Sequence, residues 1–271
     1  MLDSFLFIPC DKVRFLNKMA KIDSDYFVLD FEDAVSEEGK EVAYQNAMAG
    51  EFEENVFFRL PVFDKVYSKD KLTKLIHKSR GNIVLPKLRS LNELDYFFRL
   101  LDDEQSRRII LLIENPECFL NLEKMLQRYG SDIYAIGFGS HDFCSEMNMK
   151  HLLKFIHPIK LQLNVISKAY GVRFLDGVNV NFEDTKALIK ECQFAYDLGM
   201  EGKFFIHPDQ VNTANSIKYV DDEELNTMKK VYNKLLSLDE GEFDIIKVDG
   251  VIYEKPHIKR ITKILRKLRE I

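Results

Sequence analysis

Short apolar runs rich in Val, Ile, Leu and Phe recur along the chain at 4–9, 26–30, 56–60, 83–86, 109–113, 133–138, 174–178 and 204–207. Between most of them lie longer stretches, such as 91–101, 117–128 and 182–198, in which apolar residues return at helical spacing. This alternation reads as βα units about a parallel sheet. Eight such strands close a barrel, whereas a doubly wound sheet would more often show fewer strands and a Gly-rich first turn. Neither G-x-G-x-x-G nor a Walker loop occurs, so dinucleotide and P-loop chemistry are disfavoured. The expected fold is a (β/α)8 TIM barrel.

The 271 residues are compatible with one domain or two, and the order of elements decides between them. No internal repeat, low-complexity tract or Pro/Gly/Ser linker divides the chain, although turns are marked at 239–241 and at Asp249-Gly250. The expectation is a barrel over 1–220 followed by a C-terminal helical extension over 221–271, packing on the barrel or on a neighbouring subunit. Residues 255–271 are basic and amphipathic, with Ile258, Ile261, Ile264, Leu265 and Leu268 on one face. Such a segment can address nucleic acid or a membrane. The stronger reading is a terminal helix that docks its apolar stripe and leaves Lys and Arg in water.

Charge and cysteines narrow the function. A formal charge of −5 provides no broad basic field for nucleic acid or anionic membrane, which leaves a small-molecule partner as the default. No apolar run is long enough to span a bilayer, and the first ten residues lack a basic start and a cleavage site. Cys10, Cys118, Cys144 and Cys192 are widely spaced with no C-x-x-C pair, which reads as reduced thiols in the cytoplasm.

Barrel active sites lie at the carboxyl ends of the strands, so the polar residues following each run are the candidates. Glu32 and Asp33 follow the second run, Arg59 ends the third, Lys87 the fourth and Glu114 the fifth. The sixth leads through Gly137 and Gly139 to His141 and Asp142, the seventh carries Asp176 and the eighth His207. Taken singly, Arg59 or Lys87 could serve only to neutralise neighbouring carboxylates, and Asp142 could cap the next helix. A capping role for Glu114 is weak, because Glu is not a favoured cap. Oxygen ligands with few nitrogens suit Mg²⁺ or Mn²⁺, and Mg²⁺ takes one or two protein carboxylates with water and substrate completing the shell, a count that Glu114 and Asp142 meet. His207, before Pro208, reads as a hydrogen-bonded strand-end residue. His77, His151 and His257 read as solvated surface residues, and His157 before Pro158 as a turn residue.

The segments Leu6-Phe7-Ile8-Pro9, Asp30-Phe31-Glu32-Asp33-Ala34-Val35, Phe58-Arg59-Leu60, Leu85-Pro86-Lys87, Ile113-Glu114-Asn115-Pro116, Gly137-Phe138-Gly139-Ser140-His141-Asp142 and Leu175-Asp176-Gly177-Val178 occur in that order, followed by Leu198-Gly199-Met200-Glu201-Gly202-Lys203 and Ile206-His207-Pro208-Asp209-Gln210. In this order and at these separations the chain resembles, nearly end to end, the citrate lyase β-subunit-like group of the HpcH/HpaI aldolase superfamily. The resemblance implies Mg²⁺ bound by Glu114 and Asp142, with Arg59 on a substrate carboxylate or developing enolate. It further implies that Glu32 and Asp33 orient water or the neighbouring cations, with Lys87 among the substrate-binding groups. Glu254 stands where relatives carry an Asp able to reach a neighbouring subunit's site, in assemblies that are trimers or hexamers.

The expected reaction is Mg²⁺-dependent cleavage or formation of a carbon–carbon bond in a 3-hydroxyacyl thioester of the malyl, citramalyl or citryl type, with an α-keto acid chelated to the metal. Asp3 stands where many relatives carry Arg, Cys10 where they carry Gly, and Pro61 where they carry Asn. The first two point away from coenzyme A and toward an aldolase of a free keto acid and aldehyde. A non-catalytic barrel subunit of a larger assembly is the remaining alternative.

Overall fold

The computed structural model describes residues 1–63, 67–101, 107–237 and 245–271. The turn expected at 239–241 lies outside them. Two compact units are present, Leu2–Ser216 and Ile217–Ile271 with Met1. The first is a closed barrel of eight parallel strands, β1 (Asp3–Pro9), β2 (Tyr26–Asp30), β3 (Val56–Arg59), β4 (Asn82–Leu85), β5 (Arg108–Ile113), β6 (Ile133–Phe138), β7 (Arg173–Asp176) and β8 (Gly202–Phe205), in sequential order with β8 pairing β1. Helices follow most strands, among them Lys40–Ala49 after β2, Pro116–Tyr129 after β5 and Thr185–Asp197 after β7.

Period-two alternation determines what each strand presents to the inside. Phe5, Val28, Phe57, Val84, Ile110, Leu112, Ala135, Leu175 and Phe204 fill the interior. Gly137 completes this packing, because a Cβ there would lie 2.5 Å from the Phe204 ring and 2.8 Å from Leu112. Continued one step toward the carboxyl ends, the same register brings Asp30, Arg59 and Glu114 to the mouth.

At the amino ends the lower plug is aromatic and basic. Arg108 sits 5.3 Å from the Phe57 ring and 5.8 Å from that of Tyr134, and Arg173 pairs with Asp3. Asp3 therefore lies at the end of the barrel opposite the mouth. Cys10 is fully buried and directs its thiol to the Ala43 carbonyl at 3.4 Å, in the helical layer. The four cysteines are buried and unbonded to one another.

Asp176, expected at the rim, is turned by the alternation to the outside of the barrel. There it is fully buried against Lys160 at 2.6 Å and Lys203 at 2.8 Å. Lys203 also approaches Glu191 at 3.2 Å and donates to the Gly177 carbonyl at 2.6 Å. Burial pushes the Asp176 carboxyl up, but the two ammonium groups outweigh it and hold the group well below the usual range. His157 lies inside the helix Leu153–Ala169 and stacks on Phe194 at 3.9 Å, not in a turn. Pro158 is accommodated near the start of that helix, where it removes a single i→i−4 hydrogen bond.

The second unit contains helix Asp222–Leu236, strands β9 (Ile245–Val248) and β10 (Val251–Glu254), and helix Lys255–Lys267. Asp249 and Gly250 join the strands with φ of 48° and 85°, the left-handed pair that a two-residue hairpin demands. The hairpin was not anticipated from sequence, because only its turn residues carry a signal. Ile258, Ile261 and Leu265 are buried on one face of the last helix. Among the described residues no helix is long and apolar enough to cross a membrane.

Removing one partner of the Asp176 cluster leaves a buried uncompensated charge, which costs about 3–5 kcal/mol. Asp176→Ala should therefore lose about 3 kcal/mol or more in urea unfolding. A loss below about 1 kcal/mol would show that the cluster is not an obligatory part of the fold.

Candidate active site at the barrel mouth

The β2 strand ends in Asp30, and this residue organises the groups at the barrel mouth. Its buried carboxylate accepts from Arg59 Nε at 2.7 Å and pairs with the same guanidinium through Nη2 at 2.5 Å. It also accepts from the main-chain N–H groups of Glu32 at 2.9 Å and Ala34 at 3.2 Å. The bidentate fork fixes the plane of Arg59, which lies 4.8 Å from the Phe7 ring. Burial acts against the charged Arg59, but Asp30, Glu32 and Asp33 outweigh it and raise its pKa. Asp30 lay inside a candidate segment but was not singled out from sequence. Its strand-end position is the signal that could have identified it.

Glu32 and Asp33 then bridge two cations. Glu32 is 3.1 Å from Arg59 and 2.7 Å from Lys87, while Asp33 is 3.3 Å and 2.9 Å from the same two groups. Neither Glu32 oxygen takes part in a hydrogen bond of good geometry, so these contacts are held by charge. Burial raises the Glu32 pKa, with Arg59 and Lys87 only partly opposing it. At half-exposed Asp33 burial also acts upward, but the Lys87 hydrogen bond and the Arg59 charge prevail and lower it. For Lys87, burial acts downward, and its contacts with the two acids outweigh that and raise it.

Lys87 has a second function through its backbone. With φ at 54° it occupies the left-handed region, which costs a non-glycine residue about 1 kcal/mol. That conformation points its N–H at Glu114 Oε2, 2.6 Å away. Glu114, at the end of β5, is 3% exposed and its pKa is pushed up to about 8, first by burial and then by the charges of Glu32 and Asp142, against the Lys87 N–H and Arg59. Its other oxygen faces Gly139, where a Cβ would lie 2.4 Å from the Glu114 Cγ, so only glycine leaves room for this side chain.

Asp142 stands in the first turn of helix Ser140–Glu146 and is exposed. Arg59, Glu114 and Asp142 line a single cleft of roughly 390 Å³ counted to its open mouth, walled by Phe7, Phe138, Val178 and Phe204. Ser140 and His141 also line it. Ser140 Oγ lies 2.9 Å from His151 Nε2, and the His141 and His151 rings stack at 3.8 Å. His151 is exposed, as its reading as a solvated surface residue expects, and it adjoins the cleft through Ser140 and His141. Burial lowers the pKa of both rings. His207 caps helix Pro208–Asn215, its Nδ1 accepting from the Asp209 N–H at 3.2 Å, as its place before Pro208 suggested.

Six of the candidate residues are therefore brought together, with Arg59, Glu114 and Asp142 on the cleft and Glu32, Asp33 and Lys87 bonded to them. Glu254 belongs to the second unit. It ends β10 and donates its main-chain N–H to His257 Nδ1 at 3.1 Å as the next helix begins. Among the described residues no three His, Cys, Asp or Glu side chains converge as a metal-holding group.

A (3S)-malyl-CoA thioesterase of Cereibacter sphaeroides is 23% identical over 280 residues, covering 99% of this chain and 95% of its own length. A citrate lyase subunit beta of Leuconostoc mesenteroides subsp. cremoris is 21% identical over 280 residues, covering 97% and 92%. The crystal structure of CitE from Mycobacterium tuberculosis in complex with magnesium, acetoacetate and coenzyme A superposes with a TM-score of 0.83 at 18% identity, covering 98% of this chain and 97% of that one. Residues 3–208 match the HpcH/HpaI aldolase/citrate lyase family, and the chain belongs to that family of carbon–carbon lyases.

Proposed function

We propose that this protein cleaves or forms a carbon–carbon bond in a 3-hydroxyacyl thioester of the malyl, citramalyl or citryl type, with Mg²⁺ held by Glu114 and Asp142 and an α-keto acid bound against it. The observation that carries the reading is the contrast between two sets of carboxylates. Asp30, Glu32 and Asp33 are matched by Arg59 and Lys87. Among the described residues, Glu114 keeps one oxygen without a hydrogen-bond partner and Asp142 makes no ion pair, although both line the same cleft and the Asp142 charge raises the Glu114 pKa. Two acids that share a cleft with no ion pair to either among the described residues fit a divalent ion that takes the remainder of its shell from water and substrate, as Mg²⁺ does, with Mn²⁺ a close substitute.

A bound Mg²⁺ would supply Lewis-acid polarisation of the substrate's keto or hydroxyl oxygen. The chain's own residues do the rest. Arg59, held rigid by Asp30, retains N–H donors for a carboxylate or for the charge that develops on the enolate fragment, and fixed donors of this kind commonly provide the largest share of rate enhancement. Lys87 adds a cation beside it and sets the Glu114 rotamer through its main-chain N–H. Phe7, Phe138 and Phe204 wall the cleft with apolar surface and so strengthen these charges.

The thioester reading is preferred to an aldolase of free keto acids because the sequence departures behind that rival lie away from the cleft. Asp3 is bonded to Arg173 at the opposite end of the barrel, and Cys10 faces the helical layer. The family resemblance also implies a homotrimer or hexamer. Leu161 and Val165, 51% and 62% exposed on helix Leu153–Ala169, with Val180 and Phe182, offer apolar surface that such an assembly would cover. Relatives named as thioesterases give specific support to a second reading, hydrolysis of the same thioester.

Product analysis with malyl-, citramalyl- and citryl-coenzyme A separates the two readings. Carbon–carbon cleavage yields a keto acid or aldehyde acid plus a shorter thioester, whereas hydrolysis yields free thiol and the intact hydroxy acid. The proposal expects cleavage that requires Mg²⁺ and falls about 100-fold or more in Arg59→Lys and Glu114→Ala, in line with the loss of a charge-stabilising donor. Release of thiol alone would transfer the assignment to hydrolysis.

Glu114 also makes a prediction about the metal-free protein. Because folding raises this carboxyl from 4.5 to about 8, the folded chain holds a proton that the unfolded chain releases, and stability falls as pH rises through that window. In chelator at pH 8.5, Glu114→Gln should therefore melt roughly 3 °C or more above the wild type, with the gap closing toward pH 5. Equal melting temperatures at both pH values would contradict the burial argument.

A further inference from the structure

Lys40 opens the helix Lys40–Ala49 and is 7% exposed, yet it forms no ion pair with any described residue. Its Nζ donates to two successive main-chain carbonyls, those of Phe31 and Glu32, both at 2.9 Å. Its own carbonyl accepts from the buried Tyr67 hydroxyl at 2.9 Å, which fixes the start of the helix. A buried ammonium whose described partners are carbonyl dipoles is costly, and a neutral side chain of similar length would fill the space without that cost.

What the charge accomplishes is visible in the loop that it holds. Between β2 and this helix, the N–H groups of Glu32 and Ala34 are taken by Asp30, and the carbonyls of Phe31 and Glu32 by Lys40. The loop is thus gripped by an anion on one side and a cation on the other. It carries Glu32 and Asp33, which meet Arg59 and Lys87. We propose that Lys40 is a positioning residue for the reaction. It holds the Glu32-Asp33 loop so that these acids orient Arg59 and Lys87 toward the cleft, although Lys40 itself does not line it.

This rests on the lyase reading above, and the test separates the two. Amide hydrogen exchange needs no substrate. In Lys40→Met, exchange at the Glu32 and Ala34 amides should accelerate about tenfold or more while β5 and β6 keep wild-type protection, and unchanged exchange at the two amides overturns the clamp whatever the enzyme's substrate. With the thioester that the wild type turns over, Lys40→Met normalised to folded protein should lose about tenfold in kcat with KM within about twofold, since misplacing a reacting group by about 1 Å can cost up to about 100-fold. In a Glu32→Gln/Asp33→Asn background, which removes both acids that the loop presents, the same substitution should lose less than about twofold further. A purely structural lysine would instead lower the melting temperature and leave kcat per folded molecule unchanged, or would cost the same factor in both backgrounds. Either of those results overturns the positioning role.

Discussion

The bidentate pairing of Asp30 with Arg59 is the contact on which the barrel mouth depends. Both residues sit at strand ends and inside the alternation, so the fold delivers them to one level without any loop having to be placed first. Once the pair exists, Asp30 has lone pairs left for the N–H groups of Glu32 and Ala34, and the next loop is drawn back over the guanidinium. Glu32 and Asp33 then have a cation to meet, and the excess negative charge draws in Lys87. Lys87 in turn closes the circuit to β5 through its backbone N–H on Glu114. One buried ion pair thus couples β2, β3, β4 and β5 in the order in which they stand around the barrel.

The cost of this arrangement falls on the groups left unmatched. Glu114 is buried with a single N–H to satisfy it, and its carboxyl is pushed up to about 8. Gly139 must lack a side chain for Glu114 to stand where it does. Lys87 must adopt a left-handed backbone. Strain and unmatched charge concentrated in one cleft are what a binding site shows when its stabilising partner arrives from solution.

The barrel was legible in the sequence because its signal is repeated. Each of the eight runs overlaps an observed strand, and the helix spacing between them follows from the same period change. The rim was legible only in part. Reading residues by their place after each run finds Arg59 and Glu114, which keep the inward parity, but it also selects Asp176, which the same parity turns outward to Lys160 and Lys203. Counting positions by two from Leu175, an interior residue, would have corrected this. Asp30 carries the inward parity of Val28 at the end of β2, but its polarity alone does not separate it from Glu32 and Asp33 just beyond. The left-handed turn at Lys87 and the His141–His151 stack depend on backbone geometry that no local pattern encodes. Asp3 is legible only once its place in the barrel is known. Its difference from relatives drew attention as a binding change, whereas its place at the amino end of β1 makes it the partner of Arg173.

The central claim is that Glu114 and Asp142 form, with a divalent ion, the site at which a keto acid binds. Calorimetric titration of oxaloacetate into the purified protein, with Mg²⁺ and with chelator, for the wild type and Glu114→Ala, addresses it most directly. Saturable binding to the wild type is expected only when Mg²⁺ is present, and none to the variant under either condition. Binding of equal strength in chelator, or in Glu114→Ala, would contradict it.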